Sequence, residues 1–113
     1  MDRADLIAQL VVLKMALCPM GETREELCEH FQAELDNGEI VYLMDGDKVI
    51  AFCDFSWVQF KDGPLLHVIN LVCTRPGLIW KIRGMLPRAK WVTGMRGEQF
   101  KAPRGWPNVE KAA

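Results

Sequence analysis

The chain has 113 residues, half of them apolar, with a formal net charge of −1. That is enough to build one domain with a buried core, and it excludes a disordered or low-complexity chain. The longest apolar run near the N-terminus, Leu10 to Leu13, is far too short to span a bilayer. No basic stretch precedes it and no small-residue cleavage site follows it, so a cytoplasmic location is the expectation.

Asp2 to Leu17 places Leu6, Leu10, Leu13 and Leu17 at spacings of three and four, with Ile7 and Val11 beside them. This predicts a helix with a broad buried face, ended by Pro19 and Gly21. Thr23 and Glu26 form a capping box that opens a second helix. Leu27, Phe31 and Leu35 make its stripe, and Asn37-Gly38 closes it. His30, beside that stripe, reads as a surface residue.

After Gly38 the period becomes two. Glu39 to Met44 and Lys48 to Val58 predict strands joined at the hairpin turn Asp45-Gly46-Asp47. The second is apolar on both sides, as an interior strand should be. Alternation sets Val49, Ala51, Cys53, Phe55 and Trp57 on one side, and Ile50, Phe52, Asp54, Ser56 and Val58 on the other. Lys61 to Pro64 reads as a turn, and Leu65 to Cys73 as a third strand. A break at Thr74 to Gly77 leads to a helix over Leu78 to Met85, stopped by Pro87. Lys90 to Met95 and Glu98 to Ala102 predict a last hairpin about Arg96-Gly97. Residues 1–103 thus form one domain, and 104–113 a surface tail.

The charge is divided along the chain. Met1 to Thr74 carries thirteen acids against five basic residues, whereas Arg75 to Arg104 carries eight basic residues and one acid. Either the C-terminal third meets an anionic partner, or it balances the acidic half. Trp80, Trp91 and Trp106 lie among those basic residues, a composition suited to bases, to a phosphorylated cofactor or to an acidic protein.

The predicted order, α-α-β-β-β-α-β with a mostly antiparallel mixed sheet, is that of an α+β domain. It resembles the GNAT (N-acetyltransferase-like) fold without its first strand. In that superfamily a strand ends in a splayed loop, and backbone N–H groups of the following helix hold the pyrophosphate of acetyl coenzyme A. The resemblance therefore implies a donor site at the junction of residues 72–83, with Cys73, Arg75, Gly77, Leu78 and Arg83 around the cofactor. The superfamily's loop places small residues three and five positions after its Arg or Gln. Counted from Arg75, those positions hold Leu78 and Trp80.

A narrower resemblance, over about Val12 to Arg104, is to the RTX-toxin-activating lysine acyltransferases. It rests on Val49-Ile50-Ala51-Phe52-Cys53, Ser56-Trp57, Arg75-Pro76-Gly77 and Ile82-Arg83-Gly84-Met85-Leu86-Pro87. It implies an acyl carrier protein thioester as donor, and catalysis by a His after the first helix and an Asp on the fourth strand. Around Cys18 to Gly21 there is no histidine, and Asn70 stands where the Asp is expected. An amide cannot replace a carboxylate as general base.

The residues themselves offer further candidates for chemistry. Asp54 is an acid in an apolar strand, where burial would raise its pKa. His67 and Asn70 lie on the strand that leads into the loop; His67 is either a general base or a polar residue near a strand end. Cys73 is an acyl-accepting nucleophile only with a base beside it. The cysteines lack paired spacing, and no metal site is predicted from the sequence. Two functions stay open. One is an acyltransferase-like protein that binds an acyl thioester. The other is a non-catalytic module of the same fold, such as a phage-type accessory or virion protein, whose basic third contacts nucleic acid or an acidic protein.

Overall fold

A computed structural model of the chain describes residues 1–60, 63–89 and 91–94. The elements are α1 (Arg3–Leu17), α2 (Arg24–Asn37), β1 (Ile40–Asp45), β2 (Lys48–Phe60), β3 (Gly63–Cys73), α3 (Leu78–Met85) and β4 (Trp91–Gly94). The four strands form one sheet in the order β1-β2-β3-β4. The first three are antiparallel neighbours, and β4 runs parallel to β3. This α+β arrangement is the one the sequence predicts. The first arm of the expected last hairpin, Lys90 to Met95, is present as β4 over Trp91–Gly94, while its turn, its second arm and the tail lie outside the described residues. No helix among the described residues is long and apolar enough to cross a membrane.

Local chemistry sets the boundaries. Asp2 caps α1 by accepting from the Asp5 amide. Thr23 and Glu26 complete the expected capping box on α2, and Gly38 ends that helix in the left-handed region. Gly46 takes a positive φ in the hairpin turn. That turn is also held from outside, because Gln9 on α1 donates to the Asp47 carbonyl and accepts from the Val49 amide, both at 2.7 Å. Arg3 pairs with Asp36 and ties α1 to α2. β3 starts two residues before the predicted Leu65, so Gly63 and Pro64 belong to the strand rather than to the turn.

The sheet has a core on each face. On one, Leu6, Leu10 and Val11 of α1 and Leu27 and Phe31 of α2 pack on Ile40, Val49, Phe52 and Val72. Phe31 meets Phe52 edge-on at a centroid separation of 5.4 Å. On the other, Leu78 and Ile82 of α3 pack on Ala51, Cys53, Phe55, Leu66 and Val68.

Two β-bulges decide which side chains reach which face. Opposite Leu43 and Met44 the register passes from Ala51 to Val49, leaving Ile50 as the extra residue. Val49 consequently packs with Phe52 under α1 and α2, not with Ala51 and Cys53 as strict alternation predicts. A second bulge lies between Asp54/Phe55 and their partners Asn70 and Val68, with Ile69 extra. It turns Asn70 away from the side of Leu66 and Val68 and toward that of Asp54.

Candidate functional site

Two groups of candidate residues emerge, one on each face of the sheet. The first is a polar cluster buried between α2 and the sheet. Asp54 is fully buried, and Asn70, its partner in register, is 5 % exposed. Asn70 donates from Nδ2 to Asp54 Oδ2 at 3.2 Å. The bulge at Ile69 makes this bond possible. His67 pairs with Ser56 on the same face, farther along the ladder, and is half-buried. Of the chemical candidates predicted, Asp54 and Asn70 touch, His67 stands apart from them, and Cys73 belongs to the second group.

His30 and Glu34 complete the cluster, and sequence reading missed both. One turn apart on α2, they project from the same side of the helix. His30 Nε2 lies 3.1 Å from Asp54 Oδ2 and 3.1 Å from Glu34 Oε2. The imidazole is half-exposed, yet Nε2 points inward rather than to solvent as a surface histidine's would. A single N–H cannot serve both carboxylates well. Glu34 Oε1, Asp54 Oδ1 and Asn70 Oδ1 are buried without a hydrogen-bond partner.

The electrostatics follow from this crowding. Hydrogen bonding to Asp54, then to Glu34, raises the pKa of His30 to about 10, against a smaller opposing effect of burial. Desolvation, reinforced by Asp54, raises Glu34 to about 8 despite the stabilising bond from His30. Near neutral pH the cluster therefore keeps a charged imidazole beside a protonated Glu34.

The second group is the β3–α3 junction. β3 ends at Cys73, and Thr74 fixes the exit by donating both its amide and its hydroxyl to the Ile50 carbonyl, at 3.0 and 2.8 Å. Gly77 then caps α3 with φ of 90°, a conformation only glycine adopts without strain, and no side chain satisfies the first turn. Leu71, Cys73, Thr74, Arg75, Gly77 and Ile79 line an open cleft of about 470 Å³ here. Cys73 is half-buried, and desolvation pushes its thiol pKa up, away from a reactive thiolate.

The other two predicted donor residues are not in the cleft wall. Leu78 is buried in the core beneath α3 and offers only its backbone N–H. Arg83 lies in the last turn of the helix, its guanidinium 5.3 Å from the ring centroid of the exposed Trp80. Among the described residues the parallel pairing of β3 with β4 runs from Leu65 to Val68, and β3 continues to Cys73.

No protein-family model matches the chain, and no curated protein matches it. Among solved structures it is similar to a predicted acetyltransferase with acetyl-CoA from Clostridium acetobutylicum. The two share 13 % identity over 94 % of this chain and 86 % of that one, at a TM-score of 0.49.

Proposed function

We propose that this chain is a divergent acyltransferase-like protein that binds an acyl-thioester donor at the β3–α3 junction. The observation that carries the reading is the composition of the cleft. Leu71 and Ile79 give it an apolar part, while Arg75 and the uncapped first turn of α3 give it a positive rim. A thioester donor has matching parts, an apolar acyl arm and anionic phosphates.

The departures from the superfamily's loop bear on how tightly such a donor could approach. Leu78 and Trp80 stand where small residues are expected, but Leu78 turns into the core and Trp80 turns out to solvent. A Cβ placed on Gly77 would meet nothing within 4 Å, so the space before this backbone is open. Arg75 and the N–H groups of the first turn are the residues that would hold the phosphates. A bound thioester would supply the activated acyl group; the chain's own part is to bind and orient it. The narrower resemblance adds an acyl carrier protein thioester as a donor beside acetyl-CoA.

A second reading is a binding module without catalysis. The exposed Trp80 ring with Arg83 stacked on it supports it, since such a pair suits nucleobases and phosphates. Thermal denaturation with acetyl-CoA, longer acyl-CoAs and acyl carrier protein separates the two. A donor at a hundred times its Kd should add about 2.7 kcal/mol of stability, and Arg75→Glu should remove most of that gain. No stabilisation by any donor, together with salt-dependent retention on nucleic acid, overturns the donor reading in favour of the second.

A further inference from the structure

We propose that His30, Glu34 and Asp54 form a binding site for a divalent transition-metal cation, with Asn70 as its supporting residue. The site lies on the face of the sheet opposite the donor cleft and is independent of the donor reading.

The ligand atoms are already gathered. One nitrogen of His30 and one oxygen from each carboxylate all lie within 4.8 Å of one another. Two of those separations are 3.1 Å. Ligands held about 2.1 Å from one ion are about 3.0 Å apart in octahedral geometry and about 3.4 Å apart in tetrahedral geometry. The two 3.1 Å separations fall in that interval, and an entering ion takes the place of the protons that His30 and Glu34 otherwise hold there, which pass to solvent.

The unpartnered atoms give an independent reason. Oε1 of Glu34, Oδ1 of Asp54 and Oδ1 of Asn70 are buried acceptors without donors, and Oε2 of Glu34 has only the His30 Nε2 it shares with Asp54. Asp54 is wholly buried, and Asn70 and Glu34 are each 5 % exposed, so bulk water does not satisfy them. The imidazole N–H, the Asn70 amide and the proton on Glu34 still leave acceptors in excess. A cation answers several of them at once.

The surroundings also suit an ion. Asn70 Nδ2 holds Asp54 Oδ2 and fixes the carboxylate's orientation, as partners of metal ligands commonly do. The His30 side chain is 38 % exposed and sits at the cluster's edge, which gives a route from solvent. Imidazole with two carboxylates suits Zn²⁺, Mn²⁺ or Fe²⁺, whereas Ca²⁺ and Mg²⁺ favour sites made of oxygen alone.

The full chain, stripped with chelator, would be titrated calorimetrically with Zn²⁺ and separately with Mn²⁺ at pH 7.5. The expected result is saturation at one ion per chain for at least one metal. His30→Gln and Glu34→Gln should each weaken binding at least tenfold, and Asn70→Ala by about ten- to a hundredfold. His30→Gln alters a half-exposed side chain, and circular dichroism confirms that the variants are folded. Cys18→Ser and Cys28→Ser should bind as the parent does, and bound Co²⁺ should show no thiolate charge-transfer absorption. Failure of both metals to saturate overturns the proposal. So does an affinity unchanged in His30→Gln and Glu34→Gln, or a thiolate band with Co²⁺.

Discussion

Asn70 donates to Asp54 across β2 and β3 at positions that face each other in register. The amide gives Asp54 a donor without adding a charge, in a space already shared by two carboxyl groups. Asn70→Asp should therefore destabilise the fold by about 2 kcal/mol at neutral pH, since it replaces the donor with a third buried acid. The deficit should shrink as the pH is lowered and the new acid is protonated. Urea denaturation at several pH values measures both effects.

Stability of the metal-free protein should fall as pH rises, contrary to the usual acid lability. His30 and Glu34 both bind protons more tightly folded than unfolded. Glu34's contribution is complete below its ordinary 4.5 and is lost through about 8; that of His30 is complete below 6.5 and is lost through about 10. The urea midpoint should decline between about pH 5 and about pH 9, and His30→Gln should flatten the upper part of that decline. A midpoint that rises steadily across this range would contradict the arrangement of the cluster.

Gly77→Ala tests the junction on two counts. With φ of 90° and open space around the would-be Cβ, its cost is conformational and not steric, about 1 kcal/mol. If the donor lies against this turn, acyl-CoA affinity should drop more than stability does. Chemical denaturation and donor titration of the same variant compare the two losses.

Thr23→Ala removes one half of the capping box that starts α2. The expected loss is about 1 kcal/mol. Because α2 carries His30 and Glu34, fraying at its N-terminus should also raise amide exchange along the helix toward them. Hydrogen exchange read by NMR would show this.

Much of the fold is legible in residues whose signals are local. The Thr23/Glu26 box, the turn at Asp45 to Asp47 and the break at Pro76-Gly77 all depend on side chains within a few positions, and each boundary lies within a residue of its expected place. Val49 lies on the side opposite to the one alternation predicts, for a physical reason. Alternation assumes an unbroken pleat, and bulges at Ile50 and Ile69 reverse it, with no Gly or Pro to mark them. The site was less legible still. Asp54 stands out as an acid in an apolar strand, but its partner His30 is twenty-four residues away on another element. The available hint lay on α2, where the buried positions are Leu27, Phe31 and Glu34 rather than Leu35. A heptad-spaced acid in the buried stripe, with a histidine one turn before it, marks a polar inclusion in the core.

Gln9 gives the hairpin turn a dependence that its own sequence does not reveal. Its side-chain amide takes the Val49 N–H and the Asp47 carbonyl much as the backbone of an adjoining strand would. The Val49 amide proton is thus sheltered by a helix residue forty positions earlier. Its exchange rate is a single-proton gauge of whether α1 is docked, and any event that lifts α1 from the sheet will register at the turn between β1 and β2.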